Sequence, residues 1–226
     1  DTTATSSVQF AIAYGNGLGS GSAVYNTAVN GLSPTSTIFG QWQDLVIGDE
    51  NTNFTFGAIT SSEFFALSIE RSCYKEALFL GSLTLNLTGS GTSSITLTDN
   101  SNYVSSVQYC AAGRVFQLIT GSTGTRATIS SRNTADGYSA NSGSYGWLLP
   151  DIGTILLNPL ALAQPAISGG IAFTYSGSST ASAAPILSPN DSLYNALTKA
   201  LTGGSSNDFY INAQESITSD FLPLKI

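Results

Sequence analysis

The 226-residue chain contains no histidine and no methionine. Without histidine, Ser-His-Asp and Cys-His nucleophilic arrangements are impossible and the commonest general base is gone. Charged residues make up only 9% of the chain, against about a quarter in an ordinary soluble domain. Seven Lys and Arg, scattered singly under a net charge of −7, form no basic stripe, so nucleic acid is excluded as a partner. No apolar run approaches the ~18 residues of a membrane-spanning helix. Two cysteines and no histidine cannot assemble a four-ligand zinc site. A chain without Met even at position 1 is expected to be a processed or partial piece of something longer.

What is there is apolar and hydroxyl-rich. Hydrophobic residues are 42% of the chain, enough for a substantial core. A surface so poor in charge is badly protected against association, which points to assembly. Glycans are the alternative solubilising device: Asn53-Phe54-Thr55, Asn86-Leu87-Thr88 and Asn190-Asp191-Ser192 fit the acceptor pattern, although Asn86 falls within a predicted strand.

Hydrophobic periodicity is mostly that of strands. Val8, Phe10, Ile12 and Tyr14 alternate with small or polar residues. The glycine-rich run from Gly15 to Ser22 that follows has neither the Lys-Ser/Thr of a P-loop nor the third glycine of a dinucleotide fingerprint, and reads as a flexible connector. Further strands are predicted at Thr37–Ile47, Asn53–Ile59, Phe64–Ile69 (buried on both faces), Ala77–Thr88, Ile95–Thr98, Tyr103–Tyr109, Arg114–Thr120, Thr125–Ser131, Thr154–Leu157 and Ile171–Tyr175. Leu149-Pro150-Asp151-Ile152-Gly153 has turn chemistry, and Asn158-Pro159 starts a short helix. Leu193, Ala196, Leu197, Ala200 and Leu201 keep a helical period over 191–202. The expectation is an all-β antiparallel sandwich, jelly-roll-like, with one or two short appended helices. Residues 1–22 form an N-terminal strand and connector, and 23–226 a single domain.

Candidate chemistry is sparse. Asp49, Glu50, Glu63, Glu70, Asp136 and Asp151 are available to a paired-carboxylate glycosidase, and ten Tyr and two Trp to a sugar cleft; turn-capping and solubilising roles account for these carboxylates more simply. The run from Gly48 to Asn53 has calcium-type ligands without the EF-hand spacing and reads as a plain acidic loop. Cys73 and Cys110 are either a disulfide or two buried free thiols. Glu70, Arg71, Lys75 and Glu76, the densest charge group, suit an interface or a structural salt-bridge network. No catalytic residue, metal or cofactor is expected.

In order along residues 8–162, the chain carries Ala13-Tyr14-Gly15 with Gly-Ser repeats, Ser33-Pro34-Thr35-Ser36, Ile38-Phe39-Gly40-Gln41, and Gly48-Asp49-Glu50 with Phe54-Thr55-Phe56-Gly57. Next come Ile69-Glu70-Arg71 with Tyr74-Lys75-Glu76, Leu97-Thr98-Asp99-Asn100-Ser101, Gly113-Arg114-Val115-Phe116 with Thr120-Gly121-Ser122, and Tyr145-Gly146 through Pro150-Asp151-Ile152-Gly153 to Leu157-Asn158. This series resembles virion structural proteins of large T4-like contractile-tailed phages, marine and cyanobacterial ones included; Cys73 stands where that pattern has a charged or polar residue. The resemblance implies a non-enzymatic component of the tail, baseplate or neck, a homo-oligomer contacting other virion proteins. Two other expectations stand beside it. One is an extracellular surface filament in which Val8–Tyr14 completes a neighbour's sheet. The other is a carbohydrate-binding adhesin using Trp42 or Trp147.

Overall fold

The computed structural model describes residues 9–19, 35–57, 59–88, 94–128, 143–162, 209–216 and 223–225. The element order is β1 (Phe10–Asn16), α1 (Thr35–Ile47), β2 (Phe54–Phe56), β3 (Ile59–Ser61), β4 (Glu63–Ile69), β5 (Ala77–Leu78), β6 (Thr84–Thr88) and β7 (Ser94–Asp99). It continues with β8 (Gln108–Cys110), β9 (Gly113–Ser122), β10 (Thr125–Arg126), β11 (Gly146–Leu149), β12 (Thr154–Leu157), α2 (Pro159–Leu162), β13 (Phe209–Ser216) and β14 (Pro223–Lys225). Short 3₁₀ turns occupy Arg71–Cys73 and Pro150–Ile152. No helix among the described residues is long and apolar enough to cross a membrane.

The all-β, antiparallel expectation is borne out. Twelve strands form one sheet in the order β1-β4-β12-β11-β9-β7-β6-β13-β14, with β8 and β10 on β9 and β5 on β13; β2 and β3 make a separate hairpin. The two layers of the sandwich are parts of this one curled sheet. Phe65 and Leu67 of β4, Ile155 and Leu157 of β12, Phe116 and Leu118 of β9, and Leu85 and Leu87 of β6 meet in a single inner core. Strands so far apart in the order share a core only if the sheet bends around it. Alternate residues turn outward: Phe64 and Ala66, Leu156, Leu149 and Val115 join Phe39, Val46, Phe54 and Phe56 in a second cluster, under α1 and the β2–β3 hairpin. Burial of β4 on both faces is thereby observed, with Phe64 to Leu67 at most 1% exposed.

Several local expectations need correction. Thr37–Ile47 is helical, not extended. Phe39, Gln43 and Val46 are its buried residues, at the spacing of one helix face, and Gly48, at φ +83°, ends it by donating to the carbonyls of Asp44 and Gln43. Asn53–Ile59 is two strands folded back around Gly57, with Phe54 opposite Ser61. Of Tyr103–Tyr109 only the end reaches a strand, β8. The expected strand Ala77–Thr88 is broken into β5 and β6; β6 and β7 pair as a hairpin, with Leu85 opposite Leu97, and the β9–β10 pairing and the α2 cap, where Asn158 Oδ1 accepts from Leu160 N at 3.1 Å, are observed. The helix expected over 191–202 and the strand at 171–175 lie outside the described residues.

Candidate functional site

Two places combine accessible geometry with residues singled out in the sequence: the edge strand β1 and a groove beside Trp147.

Strand β1 is seated on its own chain. Its seven residues pair antiparallel with β4 from Phe10 opposite Ile69 to Asn16 opposite Glu63. Backbone bonds extend the ladder at both ends, from Glu70 N to Gln9 O and from Gly17 N to Ser62 O, each 2.8 Å. Ile12 and Tyr14 face the inner core, Tyr14 with its ring 4.8 Å from that of Phe65. Ala13 faces the outer cluster. Val8, the remaining expected interface residue, lies outside the described residues. β1 ends the sheet order, so its second edge carries no partner strand among the described residues.

The groove arises where the chain leaves the sheet after β7. Asn100 is the pivot. Its N–H donates to Gln117 O and its Oδ1 accepts from Gln117 N, both at 3.0 Å, so the side chain replaces the ladder partner that the next residue would supply. The loop of residues 101–107 then bulges outward and rejoins β9 through β8. It is tied down at its far side: Asn102 Nδ2 donates to Gly124 O at 2.9 Å, Arg126 N donates to Tyr103 Oη at 2.8 Å, and the Arg126 guanidinium lies 4.9 Å from the Tyr103 ring centroid.

Between this loop, the outward face of β9 and β11, and the β2–β3 hairpin runs an open groove of about 450 Å³. Val115, Gln117 and Trp147 come from the sheet, Thr55 and Gly57 from the hairpin, and Tyr103, Ser105, Ser106 and Gln108 from the loop side. Phe54 and Phe56 hold the Trp147 indole in edge-to-face contact at 5.9 and 5.3 Å. Its Nε1, shielded from solvent, has no acceptor among the described residues. Gln117 Oε1 accepts from Ser144 Oγ at 2.6 Å, which fixes the amide. No ionisable carboxylate, ammonium or guanidinium lines the groove among the described residues.

The other expected site residues do not converge. Cys73 packs against the inner core and Cys110 against the outer cluster. The sheet lies between them, so the expected disulfide is replaced by its alternative, two free thiols; burial pushes the Cys110 thiol pKa up. Glu70, Arg71, Lys75 and Glu76 form no salt-bridge network. All four are exposed and stay hydrated, and the Arg71 guanidinium instead donates to Tyr74 O at 2.6 Å and covers the Tyr74 ring.

The ion pair between described residues is one that sequence reasoning did not single out as a pair, Arg114 with Asp151. The guanidinium makes a forked contact, with Nη2 2.5 Å from Oδ1 and Nε 3.2 Å from Oδ2, while Arg114 N donates to Oδ2 at 2.8 Å. It clamps the start of β9 to the turn between β11 and β12. The guanidinium holds the Asp151 carboxyl below its usual pKa.

Of the remaining carboxylates, Asp49 accepts from Thr52 Oγ1 and Asn51 N within its own loop, and these bonds lower its pKa. That is the plain acidic-loop reading, and no group of metal-ligating side chains occurs among the described residues. Glu63 accepts from Asn16 Nδ2 at 3.0 Å, and Asp136 lies outside the described residues. Trp42 packs on Phe64 under α1 and does not line the groove; Trp147 does. No family model matches the chain, and no curated protein and no solved structure matches it either.

Proposed function

We propose that this chain is a non-enzymatic structural subunit that assembles with copies of itself and with neighbouring proteins through β-rich contacts. The observation that carries the reading is β1. It is the first strand among the described residues and an edge strand in the sheet, and it contributes Ile12 and Tyr14 to the inner core. A strand held by a ladder and two inward side chains is one that a neighbour's copy can supply in the same register. The low charge of the chain favours close packing of subunits. The absence of histidine, and the spread of the carboxylates among a clamp, a loop and a strand end, support a non-enzymatic role.

The particle named by the sequence resemblance is a phage virion, with the subunit in tail, baseplate or neck. A second reading, an extracellular filament joined end to end by strand donation, is favoured by the same strand. Electron microscopy of the purified full chain at raised concentration, beside a variant lacking residues 1–16, tests both. Assembly is expected for the full chain and not for the variant; adding a peptide of residues 8–17 is expected to bind and stabilise the variant. A closed ring favours a virion layer and an open fibre the filament. Equal assembly by the truncated variant refutes strand joining, and a full chain that stays monomeric at every concentration and with every virion fraction refutes the structural role.

A further inference from the structure

We propose that the groove between the 101–107 loop, β9, β11 and the β2–β3 hairpin is a binding site for neutral carbohydrate. Its volume of about 450 Å³ lies within the ~300–1,000 Å³ of small-ligand pockets. The lining is of two kinds. Tyr103 and Trp147 offer aromatic surface, which suits the C–H-rich faces of a pyranose. Thr55, Ser105, Ser106, Gln108 and the Gln117 amide are neutral donors and acceptors that match sugar hydroxyls.

The same walls argue against other ligands. With no cation lining the groove, a phosphate or a sulfated polymer would be desolvated without a counter-charge. A peptide bound by strand addition needs an open strand edge. Here β9 is paired on one side with β11 at Gln117 and Phe116, and on the other Gln117 is bonded to Asn100, so no backbone edge is offered. The site is also pre-formed: Asn100, Asn102 and Tyr103 anchor the loop, Ser144 sets Gln117, and Phe54 and Phe56 set Trp147. Little ordering cost remains on binding. This inference does not depend on how subunits are joined.

The test uses the full chain on a panel of immobilised neutral oligosaccharides of glucose, mannose, galactose and N-acetylglucosamine, with heparin and an unstructured polar peptide as controls. Solution titrations of any hit follow indole fluorescence in a Trp42→Phe background, so that the signal is that of Trp147. Gln108 and Thr55 are exposed, so the Gln108→Ala/Thr55→Val variant is expected to keep the unfolding midpoint of its parent. It is expected to bind the saccharide about tenfold more weakly, the effect of losing one or two hydrogen bonds. A panel without a saccharide hit, a hit whose affinity the double variant leaves unchanged, or binding of heparin or peptide in place of saccharide would each overturn the assignment.

Discussion

Gly15→Ala is the sharpest probe of how β1 is held. Gly15 is a buried residue of β1, and its backbone needs no left-handed conformation, so alanine is sterically allowed as far as φ is concerned. A Cβ there would stand 2.6 Å from Phe64 Cε1, 2.7 Å from Phe64 Cζ and 3.1 Å from the Phe39 Cα. The Phe64 ring has little room to yield, because the rings of Phe39, Trp42 and Phe54 surround it with centroids at 5.7, 5.7 and 5.2 Å. Two effects oppose each other. Restricting the unfolded chain stabilises by about 0.4–1 kcal/mol, and overpacking costs about 1–3 kcal/mol. The overpacking wins, for a net loss of about 1–2 kcal/mol and a fall in Tm of about 2–8 °C for a domain of this size. Urea unfolding of the monomer gives the value directly. A double-mutant cycle with Phe64→Leu isolates the cause, since leucine lacks the two ring atoms in question. The cost of Gly15→Ala is expected to shrink by about 1–2 kcal/mol in that background. If subunits exchange β1, the same loss weakens each joint by about tenfold for every 1.4 kcal/mol. An unchanged or raised midpoint, or strict additivity with Phe64→Leu, would refute the packing of β1 under α1.

Three further outcomes are expected. Because Arg114 depresses the Asp151 pKa, the pair stabilises the fold above the unfolded carboxyl's pKa of about 3.9, and that stability is lost as pH falls through the lower folded value. With both side chains 33% exposed, solvent screening limits it to about 1 kcal/mol. Asp151→Asn should therefore lie about that far below wild type at pH 7 and converge with it as the pH falls below about 4 in urea titrations, whereas a gap independent of pH would count against the ion pair. Gly146→Ala places a Cβ 1.9 Å from Leu156 O at φ +147°, and a loss of about 3 kcal/mol is expected from thermal unfolding; a neutral result would contradict the β11–β12 register. Alkylation followed by intact mass is expected to add two labels to the unreduced, denatured chain, with Cys110 labelled slowly in the native state because burial raises its pKa; a chain that takes no label would restore the disulfide.

What could be read from the sequence was whatever a single strand or turn decides for itself. Phe10, Ile12 and Tyr14 alternate because β1 has unlike faces. Phe64 to Leu67 run unbroken because β4 is covered on both. Asn158-Pro159 caps a helix with atoms one turn away. Helix α1 reads as a strand in sequence because Thr35, Thr37, Ile38, Val46 and Ile47 are β-branched, which favours strands. Its buried face also includes a polar residue, Gln43, whose Nε2 donates to Thr52 O at 2.8 Å. Residues 103–109 carry strand-like side chains, yet Tyr103, Val104, Val107 and Tyr109 are all exposed, because Asn100 takes the ladder position on β9 first. The groove draws its lining from separated segments, so only Trp147 stood out beforehand. Whether Cys73 and Cys110 can meet depends on the face each one packs against, which spacing in the chain does not reveal.

The two proposed activities occupy different parts of the outer face. Helix α1 covers β1 and β4 there, where Phe39 meets Phe64 and Gly15, while Phe54 and Phe56 of the hairpin lie against Trp147. In the sheet order β1 stands three strands from β11 and four from β9, or roughly 14–19 Å at the usual spacing. A neighbour's strand replacing β1 leaves the groove open, so every subunit of an assembly would present one. Phe54 packs on both Phe64 and Trp147, so the two sites share one ring and couple through it. Gly15→Ala should therefore weaken assembly strongly and saccharide affinity only by what passes through Phe54, and Gln108→Ala/Thr55→Val should do the reverse. Multivalent display then makes its own demand: saccharide affinity measured on assembled particles should exceed that of the monomer by avidity, and truncating residues 1–16 should abolish that excess while leaving the monomer's affinity in place. Loss of both together would mean that the groove and the joint share one structural support, against the separation argued from the sheet order.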